Sequence, residues 1–352
     1  MFIVIVLVIH SAELSADVLL YDEVLPLPNL TERFLGSGGS NFGAQALTTM
    51  GVDSVDSSSN GQSARRAFVA YGAGARTRLH VGDKLVVDGS AIGTHYDAES
   101  EFLDDSVWSR QESRSELVST LIGRFGLGDG VSVGGGVHFF YSPETTDTFR
   151  ISDLTAEVNT GVAKVFASEF VLTKFGSGWS AGFGWREKKS ASREVKRVSA
   201  GEVVDFFEDV SLDEQISAGV SAQLQSGRDF SLDLRTVSSQ SDFSGKLNAS
   251  AASESDPQRR YEVLGVYSLG DTGVHKLSFG LGYRTIGYSN QSNVSAQNIP
   301  LWTFLLRDKL KFAGSTVHAD ALFGFGEDMQ SLPDFNANYR RMLLTIQAGV
   351  VL

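Results

Sequence analysis

Charged side chains recur at every second position in several segments of this chain, and this spacing could give them a shared chemistry. Arg76 and Arg78 alternate with Ala75 and Leu79, for example. Residues two apart on an extended strand point to the same face. Arginines and lysines outnumber acids on the less apolar face, and such a face enclosed by low-dielectric walls concentrates anions. The candidates for lining a pore are Arg66, Arg76, Arg78, Glu116, Arg124, Asp233, Arg235, Arg284 and Asp320.

Two pairs of residues could in principle support hydrolysis. His138 shares a parity with Ser142, and His318 shares one with Asp320, whereas a hydrolase needs a nucleophile, a histidine and an orienting group together. With 6 histidines in the chain, such coincidences are ordinary, and we expect no enzyme. Cysteine is absent and no zinc, dinucleotide or phosphate-loop spacing occurs, so we expect no metal or cofactor. The net charge of -12 argues against a nucleic-acid partner.

The elements that must position these side chains are strands, and the C-terminal segment shows this best. Its apolar residues fall on one parity, while Thr345, Gln347 and Gly349 fall on the other. That period of two predicts a strand with one apolar face, long enough to cross a bilayer when tilted. The apolar positions are Met342, Leu344, Ile346, Ala348, Val350 and Leu352.

Reading the whole chain in this way predicts about fourteen strands. Short turns bearing Gly and Asp, such as 128–130 and 176–178, alternate with polar loops. Short turns at one end and long loops at the other are typical of outer-membrane barrels, with both termini at the short-turn, periplasmic end. We therefore predict an all-β, transmembrane, antiparallel up-and-down β-barrel with long loops at 53–64, 97–114, 190–213 and 239–258.

Exceptions to the alternation locate the edges of the membrane. Lys164, Glu187 and Lys189 have the outward parity but lie far up their strands, where long side chains can reach the headgroups. Asp308 interrupts an outward apolar run and predicts a bulge. Aromatic girdles are expected at Trp179, Trp185, Tyr267, Tyr283 and Trp302.

The N-terminal residues resemble an export signal. An apolar run from Phe2 to Ile9 precedes small residues at Ser11, Ala12, Ser15 and Ala16, although no basic residue comes before the run. We predict a signal peptide at 1–16, an N-terminal periplasmic extension or plug at 17–40, and the transmembrane barrel at 41–352.

The terminal strand has alternating apolar residues and lies at the carboxyl end. It resembles the strand that the barrel-assembly machinery recognises in Gram-negative outer-membrane β-barrels. That family usually ends in an aromatic residue, whereas this chain ends in Leu352. The chain also resembles the long-chain fatty-acid transporter family. Like members of that family, it has an N-terminal extension, then the glycine-rich segment 35–44, and then about fourteen strands. The resemblance implies an extension that plugs the barrel, although the family's early Asn-Pro-Ala motif is absent here.

These patterns predict an outer-membrane, porin-like channel for passive diffusion of small solutes, with a mild anion preference. The first alternative is a gated transporter of hydrophobic molecules, which inward apolar clusters such as Leu264 with Val266, or Phe140 near His138, would favour. The second is a non-conducting structural or adhesin barrel that displays acidic loops. The expected partners are outer-membrane lipid and lipopolysaccharide, the barrel-assembly machinery, small solutes and, as a homo-oligomer, further copies of the chain.

Overall fold

Antiparallel strands make up nearly all of the structure, a computed structural model that describes residues 41–57, 62–102, 108–151, 154–190, 193–199, 202–224, 227–247, 255–269, 274–288, 297–312, 314–332 and 335–352. The signal peptide and extension predicted at 1–40 lie outside the described residues. In chain order the strands are β1 (Asn41–Ser57), β2 (Gln62–Val81), β3 (Leu85–Phe102), β4 (Trp108–Gly128), β5 (Val131–Ser142), β6 (Thr145–Ile151), β7 (Leu154–Thr160), β8 (Ala163–Gly176), β9 (Trp179–Ser190), β10 (Arg193–Ser199), β11 (Glu202–Gln223), β12 (Asp229–Leu247), β13 (Ser255–Ser268), β14 (His275–Tyr288), β15 (Gln297–Phe312), β16 (Ser315–Leu332) and β17 (Phe335–Val351).

The sheet closes on itself because β1 pairs with both β2 and β17. The pairing of β1 with β17 begins where the Leu352 amide donates to the Phe42 carbonyl at 2.8 Å. It continues through register pairs from Gly43 with Val351 to Ser57 with Ala337. Both ends of the barrel chain therefore lie at the end that carries the tight turns, which we call the short-turn end. The opposite end is called the distal end.

In the described part of the chain the wall contains 14 strands, as predicted, although they comprise 17 strand segments. Three wall strands are each interrupted once, so that β5 continues as β6, β7 as β8, and β9 as β10. The interruptions are neighbours in the sheet, since Ser142 pairs with Ala163 on one side of the gap and Thr145 with Thr160 on the other. Pro143 lies in the first gap, and proline has no amide hydrogen to donate to a ladder.

The outer face of the wall is apolar and exposed along its lower part. Alternate residues of β11 and β12, among them Ile216, Val220 and Leu234, are more than 40% exposed, whereas Asp213, Ser217 and Asp233 between them are buried. A continuous exposed apolar band of this size is found in water only at interfaces, and around a closed barrel it fits lipid. The two faces are thus inverted relative to a soluble sandwich.

The aromatic residues expected to form girdles lie on the outer face, although Tyr267 pairs with Phe279 and therefore lies only four residues along the ladder from Tyr283. Trp179 begins β9 and Tyr267 is the penultimate residue of β13, both close to the short-turn end. Tyr283 and Trp302 lie further towards the distal end, and their rings meet edge to face with centroids 5.0 Å apart. Amphipathic aromatic rings favour the headgroup layers on either side of the hydrocarbon.

The tight turns at the short-turn end use residues with a positive φ. In the turn between β4 and β5, Asp129 has φ 49° and Gly130 has φ 73°. Aspartate and glycine tolerate this left-handed region better than most residues. A side chain at Gly130 would also collide with the Phe175 carbonyl of the neighbouring turn at 2.3 Å, so glycine is required there for close packing as well.

Most of the predicted long loops are strand, which corrects the sequence interpretation. β1 runs to Ser57, β3 to Phe102 and β12 to Leu247, well inside the segments predicted as loops. β11 has 22 residues, about twice what a tilted strand needs to cross the hydrocarbon. Beyond the bilayer both faces of a strand meet water, so the apolar alternation is lost although the backbone pairing continues.

Asp308 does not mark a bulge, and that expectation was wrong. The pairs Leu277 with Asp308 and Asp308 with Ala319 belong to uninterrupted ladders. Asp308 lies near the short-turn end of β15, half exposed, with a carboxylate oxygen 3.3 Å from Nδ1 of His275. At that height a polar pair on the outer face is in reach of headgroups and water. Lys164, Glu187 and Lys189 are exposed on the outer face, as expected.

No helix in the described ranges is long and apolar enough to cross a membrane.

The lipid-facing assignment predicts the effect of a new charge. Val220→Arg or Leu281→Arg should lower the free energy of folding into lipid vesicles, by up to about 2–4 kcal/mol at a position deep in the hydrocarbon, because an unpaired cation in lipid is not solvated. Gln223→Arg faces the lumen and should change it little. Urea titrations of refolding, followed by heat-modifiable migration in gels, measure the difference. Equal effects at the three positions would contradict the assignment.

The orientation in the membrane is tested by epitope insertion. A short tag placed in the connection between β12 and β13 should bind antibody on intact cells, because that connection lies at the distal end. The same tag placed after Ser177 in the turn between β8 and β9 should bind only after the outer membrane is permeabilised. The reverse pattern would invert the expected topology.

Candidate functional site

The candidate site is the inner face of the barrel, and every residue predicted to line a pore lies on it. Arg66, Arg76 and Arg78 share the parity of buried Phe68 and Ala70 on β2. Of the six remaining candidates, five are buried and Arg235 is half-buried. Arg76 on β2 is exposed near the short-turn end. The buried ones are Glu116 and Arg124 on β4, Asp233 on β12, Arg284 on β14 and Asp320 on β16.

Several of these arginines are held by acids that are not among the pore candidates, of which the sequence interpretation missed Asp88. Asp88 of β3 accepts from Arg78 at 2.5 Å and from Arg124 at 3.0 Å, so one carboxylate bridges two predicted pore residues. Glu262 of β13 accepts from Arg235 at 2.5 and 3.1 Å. Asp88 was detectable, because it has the same parity on its strand as buried Ile92.

A buried ion pair joins Arg307 of β15 to Asp320 of β16. The guanidinium donates from Nε and from a terminal nitrogen to the two carboxylate oxygens, at 2.8 Å each. Arg307 and Asp320 are direct register partners, so the backbone brings the two side chains together on the inner face. A planar guanidinium matches a carboxylate in this bidentate geometry, which fixes both side chains.

A larger cluster of charges lies further towards the distal end. A terminal nitrogen of Arg110 lies 2.6 Å from a carboxylate oxygen of Glu112 and 2.6 Å from one of Asp147. Arg114 approaches Asp147 at 3.3 Å, and Arg66 approaches Glu112 at 3.3 Å. Three arginines from β2 and β4 thus surround two acids from β4 and β6. The sequence interpretation missed four of the five. It placed Arg110, Glu112 and Arg114 in a loop at 97–114, and it assigned no role to Asp147.

His138 is part of a polar network in the wall of β4, β5 and β8. Its Nε2 lies 2.6 Å from a Glu169 carboxylate oxygen, and its Nδ1 lies 2.9 Å from the Thr120 hydroxyl. Ser142 donates instead to the Ser115 carbonyl, so the predicted parity of His138 and Ser142 does not bring those two side chains into a catalytic pair. His318 has Asp320 as a neighbour, but Arg307 already occupies both oxygens of that carboxylate.

Apolar side chains form the other part of the inner face. Leu264 and Val266, which the sequence singled out, pack with Leu305 and Leu322 in a buried cluster, here called the β13–β16 apolar cluster. Phe140 belongs to a larger one, and Lys188 places its ammonium 4.7 Å from the centre of the Phe140 ring. This second cluster, the β1–β8 apolar cluster, contains Leu47, Phe68, Ala70, Ile92, Tyr96, Ala98, Val118, Phe140, Val165, Ala167, Leu301 and Leu343.

Taken together, the inner face combines neutralised ion pairs with apolar patches. Since acids from neighbouring strands pair with several of the candidate arginines, the excess of positive charge predicted from parity is largely offset. In the part of the chain that the structure describes, no cluster of three or more His, Asp or Glu residues could hold a metal ion.

Comparison with known proteins identifies the fold. No family model matches the chain, and no curated protein matches it. Among solved structures it is similar to the toluene transporter TodX of Pseudomonas putida, with 10% identity, 92% of each chain covered and a TM-score of 0.59. A FadL homologue of Pseudomonas aeruginosa has 10% identity, covers 88% of this chain and 90% of its own, and has a TM-score of 0.60. The Ralstonia pickettii toluene transporter TbuX has 9% identity, coverage of 91% and 92%, and a TM-score of 0.52.

Identity this low shows a shared fold rather than a shared function. The chain has the fold of a bacterial outer-membrane β-barrel of the kind seen in FadL-type proteins, which confirms the expectation from the sequence. The apolar exterior and this fold give the outer membrane as its location. Two of the three neighbours are described as toluene transporters, and the third is described as a FadL homologue.

The Arg307–Asp320 pair predicts a large loss of stability when one partner is removed. Asp320→Ala leaves a buried guanidinium without its counterion and should lower the free energy of unfolding by about 3–5 kcal/mol. The matched control is Arg340→Ala, which breaks the exposed Arg340–Glu327 pair and should have no measurable effect. Urea unfolding in lipid vesicles compares the two, and similar stabilities would contradict the role of the buried pair.

Proposed function

We propose that this barrel is an outer-membrane transporter of hydrophobic molecules. The proposal selects the first alternative raised by the sequence over the passive channel for small polar solutes. The substrate class we infer is a small or elongated apolar compound, such as a monoaromatic hydrocarbon or a fatty acid.

The observation that carries this proposal is the presence of apolar clusters on the inner face. A channel for hydrated solutes needs a wetted wall, whereas the β13–β16 and β1–β8 apolar clusters remove large aliphatic and aromatic surfaces from water. A hydrophobic molecule gains about 25 cal/mol for each Å² of its own apolar area that it buries against side chains of this kind. Each cluster could therefore hold an apolar substrate during its passage.

The ion pairs support the same choice. An anion-selective channel needs uncompensated cations at its constriction. Asp88, Glu262 and Asp320 accept from Arg78, Arg235 and Arg307, so the fields of these cations are largely cancelled close to their source. The mild anion preference expected from the sequence is less well supported for this reason.

The likeness to solved structures adds support from the fold. Two of the three neighbours are described as toluene transporters, and another similar structure is described as a monoaromatic hydrocarbon channel. We extend that substrate class to this chain as part of the proposal. Interactions with lipopolysaccharide, with the barrel-assembly machinery and with further copies of the chain remain part of it in the same way.

Uptake by cells tests the proposal. The chain is expressed in a Gram-negative host that lacks its own transporter for oleate, and the uptake of radiolabelled oleate and toluene is measured across an intact, lipopolysaccharide-bearing membrane. Expression should raise the initial uptake rate. Leu305→Asn should reduce it about tenfold, because a loss of about 1.4 kcal/mol of apolar stabilisation corresponds to a factor of ten.

Leu305→Met is the matched control and should retain uptake, because it preserves volume and apolarity at the same position. Surface yield and heat-modifiable migration confirm that each variant is folded. A planar bilayer provides the contrast: ohmic conductance with chloride preference, together with oleate uptake that does not depend on Leu305, would support the passive channel instead.

A further inference from the structure

Three side chains on the outside of the barrel are arranged in a way that the lumen does not explain. The hydroxyl of Ser115 on β4 lies 2.9 Å from Nδ1 of His95 on β3, and Nε2 of the same ring lies 3.2 Å from a carboxylate oxygen of Asp97. All three have the outward parity of their strands, since Tyr96, Arg114 and Glu116 between them are buried. We propose that Ser115, His95 and Asp97 form a serine-hydrolase site at the membrane surface that cleaves acyl esters.

The distances match the requirements of nucleophilic catalysis. One ring nitrogen of His95 is within hydrogen-bond reach of a hydroxyl, and the other is within reach of a carboxylate. With the proton on Nε2, the ring donates to Asp97 and accepts from the Ser115 hydroxyl, so Asp97 fixes the tautomer that makes Nδ1 a base. Ser115 and His95 are register partners, so the ladder itself sets their separation.

The height of the site suits an ester at the boundary of the hydrocarbon. Tyr71 is the register partner of His95 on the other side, and the two rings lie 5.2 Å apart between centroids. Towards the distal end from the row of Tyr71, His95 and Ser115, β3 exposes Asp97, Glu99 and Glu101, which need water. Below it β4 exposes Leu117 and Leu121, which suit lipid. Acyl esters of membrane lipids lie at this transition between chains and headgroups.

The lipid face directly below the site is unusually flat. Ala73 and Gly93 form the next register row, and Ala75 and Ala91 the one after it. A side chain at Gly93 would meet nothing within 4 Å, so the surface is open there. Bulky residues such as Leu117 and Leu121 flank this shallow groove on β4. An acyl chain parallel to the strands could lie in it with its ester at Ser115.

The reaction follows from these groups. The Ser115 oxygen attacks the ester carbonyl carbon while its proton passes to Nδ1 of His95, and the imidazolium is stabilised by Asp97. The tetrahedral intermediate breaks its carbon–oxygen bond to the alcohol, which takes the proton from His95. Water, deprotonated by His95, then attacks the acyl-serine and releases the carboxylic acid with the serine restored.

The rate should be slow. Ser115 is paired with His95 on the β3 side, and on its other side it lies between the ladders of β4 with β5 and with β6, where its carbonyl accepts from the Ser142 hydroxyl. We assign the stabilisation of the oxyanion to interfacial water. Loss of a preorganised donor costs about 10²–10³ in turnover in other hydrolases. Covalent labelling of the serine is therefore the sharper readout.

The test uses the full-length protein refolded in detergent micelles, an alkyl fluorophosphonate as covalent probe, and p-nitrophenyl butyrate and laurate as substrates. Mass spectrometry should locate the label on Ser115. Ser115→Ala and His95→Asn should reduce labelling and hydrolysis at least a hundredfold, and Asp97→Asn at least tenfold. Ser119→Ala, which removes an outward serine lower on the same strand, should change neither. Labelling of the wild type no faster than Ser115→Ala, or a label on another residue, would overturn the proposal.

Gly93→Phe tests the groove separately. It should lower the hydrolysis of laurate relative to butyrate at least fivefold, and an unchanged ratio would overturn the role of the groove. Fatty acid released from phosphatidylethanolamine vesicles or from purified lipopolysaccharide supports the site and identifies its source, whereas release from neither would overturn a lipid substrate. Oleate uptake should be unaffected by Ser115→Ala, so this proposal and the transport function can fail independently.

Discussion

The structure depends on one constraint, which is that a backbone in hydrocarbon must satisfy all its hydrogen bonds within the protein. An isolated or open sheet leaves two edges with unpaired amides and carbonyls, and each unpaired group costs several kcal/mol in lipid. Pairing of β1 with β17 removes both edges. Closure also creates an inside and an outside, and each strand must then place its alternate residues in two different solvents.

The ion pairs on the inner face follow from this division. Because the outer face of the barrel contacts lipid, the outward-facing residues of the transmembrane strands are apolar. Their polar and charged residues therefore face the inside of the barrel. Inside a narrow barrel they are far less hydrated than on a protein surface, and a buried charge is tolerated only with a partner. Register pairs such as Arg307 with Asp320 meet this requirement directly.

The strands do not all expose the same types of residue on the outer face. Most strands present Leu, Val, Ile and aromatic residues, whereas β2 and β3 present Ala and Gly below a row of Tyr71, His95 and Ser115. A single barrel wall can therefore carry one activity on its inner face and another on its outer face. The two sites share the strands but not the side chains, because neighbouring residues point in opposite directions.

The sequence by itself determined the fold class, the strand number and the face of each transmembrane residue, since a period of two in contact with lipid leaves a strong apolar pattern. For the same reason it placed the pore candidates on the parity that the structure shows on the inner face. It failed where both faces of a strand are wet, and it placed Glu112 in a segment predicted as a loop although this residue lies in β4. Only the tertiary structure decided the partners. Asp88 meets Arg124, and Ser115 meets His95, because register fixes which residues of neighbouring strands are opposite, and register is set by closure of the whole sheet rather than by any local pattern.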